Sequence, residues 1–132
     1  MNIILDTCTF LYAVLESEKL SKVATELIEE TQNRLYLSSI SAYEIIVKYK
    51  LGKLTLKKDP VKMIPEYRNR LGVIELPIIE SEILYIASLL NLHNDPFDRI
   101  IIAQAIANDY FILTPDKLIH DYQNSQPVKI IW

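Results

Sequence analysis

Glycine and cysteine are nearly missing from this chain: there are 2 Gly and 1 Cys among 132 residues. So little glycine argues against flexible linkers and low-complexity tracts. Neither a Walker A loop nor a dinucleotide-binding glycine fingerprint is present. With Cys8 alone, no internal disulfide is possible, and no zinc-type ligand spacing exists around it. No apolar run approaches the ~18 residues that cross a bilayer. The N-terminus opens on a strand-like run with no basic region before it, unlike a signal peptide. These absences lead to the expectation of a cytoplasmic protein with no membrane association. Positive charge is also in the minority. The net charge of −3 argues against a generally basic nucleic-acid binder.

What the chain does have is a hydrophobic half, 50% of its residues. That suffices for one domain, residues 1–132, with a substantial core. Short apolar runs alternate with longer helical patterns. Strands are expected at Asn2–Asp6, Leu35–Ser38, Val73–Leu76, Tyr110–Leu113 and Val128–Trp132. Helices are expected at Phe10–Leu15, Leu20–Thr31, Ser41–Lys50, Pro60–Leu71, Glu80–Leu90, Pro96–Asp109 and Asp116–Tyr122. Leu20, Val23, Ala24, Leu27 and Ile28 share one face at helical spacing. Gly52 and Gly72 suit helix stops, and Pro65 is a point where the fourth helix would kink or split. Strand–helix alternation with nearly uninterrupted apolar strands implies a mainly parallel sheet covered on both faces.

Four acids lie where elements change over. Asp6 closes the first strand, Glu44 and Asp98 fall in the first turns of two helices, and Asp116 follows the fourth strand. Sites in open α/β sheets form at the carboxyl ends of strands, so these four share a plausible rim. Converging carboxylates repel unless a cation lies between them, and hard divalent cations prefer oxygen ligands. That chemistry points to Mg²⁺- or Mn²⁺-assisted work on phosphate groups.

Each acid also has a structural alternative. Ser41-Ala42-Tyr43-Glu44 matches a capping box. Asp95 can cap a helix that starts at Pro96, with Asp98 favoured by the helix dipole. Asp116 can cap the helix that follows it. Asp6 is the hardest to explain structurally, because a carboxylate ending a buried strand is costly unless paired. Between Lys48 and Arg70, eight basic residues face two acidic ones, a local charge of +6. This is either a polyanion-binding surface or a solvated helix face. His93 and His120 are isolated, and Cys8 reads as a packed small side chain.

Four segments, in order, resemble the PIN-domain nucleases, and within them the VapC-type toxins of toxin–antitoxin pairs. They are Ile4-Leu5-Asp6-Thr7; Ser41-Ala42-Tyr43-Glu44-Ile45 with Lys48 and Gly52-Lys53-Leu54; His93 through Ala105; and Leu113-Thr114-Pro115-Asp116. The resemblance runs from Asn2 to Trp132. It implies a three-layer α/β/α sandwich with a central, mainly parallel sheet of about five strands. It assigns metal binding and catalysis to Asp6, Glu44, Asp98 and Asp116. Thr7, Asp95 and Thr114 become their supports. It further implies a ribonuclease needing Mg²⁺ or Mn²⁺, a small antitoxin partner and a homodimer. Cys8 and Tyr43 depart from the residues common in that subgroup, His and Trp, and neither supplies an essential acid. Lys48, Lys53 and Arg99 are candidate phosphate contacts, with single-stranded or looped RNA as substrate. Two rival readings are a non-catalytic module that keeps the fold and an aspartate-based phosphotransfer domain. The second is disfavoured by Cys8, where such domains place a second acid.

Overall fold

A computed structural model describes residues 1–132. Five strands, β1 (Asn2–Leu5), β2 (Arg34–Ser38), β3 (Ile74–Leu76), β4 (Phe111–Leu113) and β5 (Lys129–Ile131), form one sheet. Their order is β3-β2-β1-β4-β5, and every pairing is parallel. Seven α-helices connect them: α1 (Thr7–Leu15), α2 (Lys22–Glu29), α3 (Ser39–Lys50), α4 (Pro60–Leu71), α5 (Glu80–Leu84), α6 (Pro96–Asn108) and α7 (Lys117–His120). Short 3₁₀ turns follow α1, α5 and α7. Parallel neighbours need crossovers long enough to hold a helix, and these cover both faces. The outcome is the three-layer α/β/α sandwich expected from the sequence.

β1 explains why its run is apolar without interruption. Side chains alternate across a strand. Ile3 and Leu5 join Phe10 of α1, Ala24 of α2, Ile45 of α3, and Met63 and Ile64 of α4 in one cluster of 11 buried residues. Ile4 enters a second cluster of 11 on the opposite face, with Ile101, Ile102 and Ala105 of α6 and with Ile119 and Tyr122. One strand thus serves two cores, so neither of its faces tolerates a polar residue.

Several boundaries differ from the sequence reading. The first helix starts at Thr7 rather than Phe10, because Asp6 caps it. The second is confined to Lys22–Glu29, with the Ser21 hydroxyl accepting the Ala24 N–H at 3.0 Å. The expected helix Glu80–Leu90 breaks into α5 and a 3₁₀ turn. Its only buried member within those two elements is Glu82, so no apolar stripe sustains it. Pro65 does not split α4. Met63 and Ile64 anchor that helix in the core on the turn before it. No helix is long and apolar enough to cross a membrane. The strand order turns around β1, with β2 and β3 on one side and β4 and β5 on the other. At such a switch point a crevice opens beyond the carboxyl ends of the strands. Asp6 and Asp116 follow the two strands that flank it.

Candidate active site

A cleft of about 580 Å³ occupies that crevice. Asp6, Glu44, Asp98 and Asp116 all line it, together with Thr7, Asp95, Lys48 and Lys53. Cys8, Leu11, Tyr12, Leu54 and Pro115 complete the wall. Four chain segments therefore deliver five carboxylates to one space, Asp95 joining the four expected acids.

Asp6 is 3% exposed. One of its carboxylate oxygens accepts the Thr9 N–H at 2.6 Å, which makes it the N-cap of α1. The sequence reading gave Asp6 the weakest structural alternative; it has a cap role after all. The other oxygen accepts the hydroxyl of Thr114, a residue with no solvent exposure. The Thr9 hydroxyl in turn donates to the Leu113 carbonyl at 2.7 Å, tying the start of α1 to the end of β4. Burial pushes the Asp6 carboxyl up to about 6; the Thr114 and Thr9 hydrogen bonds oppose this, and the nearby Asp116 adds to it.

Glu44 is 4% exposed. The expected capping box is not formed. α3 starts at Ser39, and its cap is Ser38, whose hydroxyl accepts the Ile40 N–H at 3.2 Å. Ser41 therefore lies inside the helix, and Glu44 is free of the helix end. Its Oε1 accepts the Thr7 hydroxyl at 2.8 Å. Thr7 Oγ1 is also 2.9 Å from Ser41 Oγ. A hydroxyl carries one proton, so Ser41 donates to Thr7 and Thr7 to Glu44. The Lys48 ammonium meets the other oxygen of Glu44.

Asp98 stands in the first turn of α6, which Asp95 caps by accepting the Phe97 N–H at 2.9 Å. Burial, then the negative charge of Asp95, raises Asp98 to about 7, while His93 pulls it down. Asp116 caps α7 through the Leu118 N–H at 2.8 Å, and its own N–H donates to Thr114 Oγ1 at 3.0 Å. His93, passed over in the sequence as isolated, lies against both acids. Its Nε2 is 2.8 Å from Asp98 and 3.4 Å from Asp116. The available signal was its place in the loop that leads into the Asp95–Asp98 turn. His120 lies outside the cleft wall, with Nε2 2.9 Å from the Thr114 carbonyl.

Arg99 requires a correction. It does not line the cleft. Its guanidinium donates to the carbonyls of Leu90, His93 and Ile86 and to the Tyr122 hydroxyl, at 3.1 to 3.4 Å. These bonds occupy it as a brace for the loop before α6 rather than as a phosphate contact. Met63 of α4 is 2% exposed and belongs to the core, so it is not available to a partner. Burial pushes the Cys8 thiol up, away from the thiolate form.

The donor set fits a hard divalent cation. Its first layer is carboxylate oxygen, and hydroxyls hold two of the four groups. Asp6 and Asp98 are raised chiefly by burial, and neighbouring carboxylates add to it.

The family model described as PIN domain matches residues 3–124. The fold is similar to a chain of VapBC2 from Rickettsia felis, solved bound to a DNA fragment from the promoter. The TM-score is 0.72 at 17% identity, covering 99% of this chain and 98% of that one. A chain of VapBC-1 from nontypeable Haemophilus influenzae gives 0.71 at 18% identity, covering 99% and 97%. FitAcB from Neisseria gonorrhoeae gives 0.62 at 18% identity, covering 98% and 96%. The comparison with curated proteins found no match.

Proposed function

The chain belongs to the PIN-domain family, and from that premise we propose that it is a metal-dependent endoribonuclease, the toxin of a VapC-like toxin–antitoxin pair. The observation that carries this reading is the convergence of Asp6, Glu44, Asp98 and Asp116 in one cleft. Those acids would hold Mg²⁺ or Mn²⁺. Such a cation, when bound, activates water and neutralises charge developing on the phosphate and the leaving oxygen.

The chain's own residues do the rest. Thr114 and Thr9 aim the Asp6 carboxylate, and Thr7 aims Glu44. Lys48 and Lys53 add positive charge at the cleft wall, where a phosphodiester backbone would pass. The lysine-rich segment from Lys48 to Arg70 extends that attraction beyond the cleft. An open cleft of this size suits an unpaired strand better than the deep groove of an A-form duplex.

A second hollow of about 590 Å³ adjoins the cleft and shares Cys8, Leu11, Tyr12, Lys53 and Leu54 with it. It continues along Val14, Leu15 and Tyr67. An antitoxin segment with an apolar stretch and one Arg or Lys fits this pair of spaces. Its apolar side chains would lie along Leu11 and Tyr12, and its cation would enter among the acids and displace the metal. Self-association into a homodimer completes the reading. Exposed Leu84, Tyr85 and Leu90 supply apolar surface away from the cleft.

The test is incubation of the purified protein with labelled single-stranded RNA in Mg²⁺, in Mn²⁺ and in chelator. Internal cleavage with either metal and none in chelator is expected. Chelator-resistant cleavage removes the metal reading. RNA that is bound but uncut in both metals supports the non-catalytic module. Co-expression with the adjacent small gene product, purified through a tag on this chain, is expected to give an inactive complex that regains activity when the partner is proteolysed.

A further inference from the structure

His93 Nε2 lies near both Asp98 and Asp116 but makes no hydrogen bond to either. The bonds that are made lie behind the cleft, around Tyr122. Asp116 caps α7, and Tyr122 lies in the 3₁₀ turn that continues it. Its ring is fully buried among Ile4, Ile101, Ile112 and Ile119, so packing holds its hydroxyl at a fixed point. That hydroxyl donates to the Leu90 carbonyl at 2.9 Å. It accepts the His93 N–H at 3.2 Å and an Arg99 Nη1–H at 3.3 Å. A phenol offers one proton and two lone pairs, and all three are in use.

Arg99 completes the hub from the other side. It follows Asp98 in the first turn of α6. Besides Tyr122, its Nη1 reaches the carbonyls of Leu90 and His93 at 3.1 and 3.4 Å, and its Nη2 that of Ile86 at 3.4 Å. Residues 89–95 belong to no helix or strand and lead straight into the turn that carries Asp98. The hub gives Leu90 and His93 the backbone partners that a regular element supplies elsewhere. It also joins, through one bond, the first turn of α6 to the stretch that begins at Asp116.

We propose that Tyr122 and Arg99 are positioning residues: their hub locks the start of α6 to the α7 stretch and so sets the separation at which Asp98 and Asp116 meet a divalent cation. The cation in this statement rests on the nuclease reading above; the hub does not. Asp98 and Asp116 come from separate elements, and like charges move apart unless the backbone beneath them is held. For Arg99, charge and geometry predict opposite signs. Losing a positive charge beside acids strengthens cation binding by electrostatics alone. Losing the hub weakens it.

Calorimetric titration of the full-length protein with Mn²⁺, without RNA, reads this directly. Tyr122→Phe is expected to bind Mn²⁺ about tenfold more weakly, the lower end of the cost of losing a supporting group. Arg99→Lys keeps the charge but not the planar fork, and a similar loss is expected. Both variants should need more metal for cleavage yet approach the wild-type kcat at saturation. Tyr36→Phe is the control. It removes a hydroxyl that bonds Asn2 at 3.4 Å, away from the cleft, and should leave Mn²⁺ affinity unchanged. In the metal-free protein, Tyr122→Phe should speed amide exchange at His93 at least tenfold, while amides of β1 and β4 keep their protection. Wild-type Mn²⁺ affinity in Tyr122→Phe or in Arg99→Lys overturns the proposal. So does an equal loss in Tyr36→Phe, which would mean general loosening. If Tyr122→Phe does not fold, Arg99→Lys decides by the same readings. A wild-type protein that takes up no Mn²⁺ overturns the nuclease reading. Amide exchange then decides the hub, and an unchanged His93 rate overturns it.

Discussion

The two halves of the cleft are held by different chemistry. On the β1 side, Asp6 and Glu44 are 3% and 4% exposed and are gripped by the hydroxyls of Thr114 and Thr7, which are themselves buried. On the α6 side, the Asp98 and Asp116 side chains are 14% and 34% exposed, and an imidazole is their shared neighbour. The hydroxyl-held half is fixed by the same packing that makes the sheet, so its geometry exists whether or not a cation is present. The half beside His93 is the more open of the two to solvent. The site thus joins a preset wall to an adjustable one.

Asp6→Asn should break this comparison most severely. Asn remains a good N-cap, so α1 should persist. The charge at the centre of the preset wall is lost, and RNA cleavage in Mg²⁺ should fall by about 10³-fold, the scale of removing a strong electrostatic contributor. Unfolding in chelator should show the variant as stable as wild type or more so, because a costly buried charge has gone. Cleavage within tenfold of wild type would remove Asp6 from the site.

Glu44→Gln should cost about 10²-fold in cleavage. Because Ser38 caps α3, the helical circular dichroism signal should not change. Matching losses in activity and in melting temperature would mean that Glu44 acts through the fold.

Thr114→Val keeps shape and removes one donor to Asp6. Mn²⁺ affinity should weaken about tenfold, as for other outer-sphere groups. An unaltered affinity would show that the Thr9 amide alone orients the carboxylate.

The smallest effect is one of pH on the metal-free protein. Asp6 and Asp98 are raised from an ordinary 3.8 to about 6 and about 7. Between roughly pH 4 and pH 7 the folded state keeps protons that the unfolded chain has released. The contribution of this pair to stability is therefore greatest below that window and declines as pH rises through it. Melting curves in chelator should reveal the decline, Mg²⁺ or Mn²⁺ should oppose it at the upper end, and Asp6→Asn should shrink it. A stability that climbs through the window in wild type, with the slope unchanged in the variant, would contradict the assignment.

The strands were legible because they are buried on both faces and so carry no polar interruption. The four acids were legible because their residue type and their places at element boundaries are both local properties. Their supports were less so. Ser38, Ser39 and Ser41 are all eligible caps; the structure uses Ser38, with Ile45 packed in the core, and that start leaves Glu44 free. Arg99 adjoins Asp98 in sequence, but neighbours on a helix point about 100° apart. That turn sends it to Tyr122, a residue that sequence does not place nearby. His93 gave no periodic signal because it lies in a loop. Its neighbour Asp116 arrives only when β4 pairs with β1.

The Thr114–Asp6 hydrogen bond spans 108 residues of chain. During synthesis, Asp6 leaves the ribosome long before its partner exists. At about 5–20 residues per second, the interval is roughly five to twenty seconds. Throughout that time the nascent chain has one carboxylate of the set, then two, then three, and no fourth strand to complete the cleft. A chain released early has no assembled cleft. The proposed activity is thereby withheld from the nascent chain until β4 has been made and paired with β1.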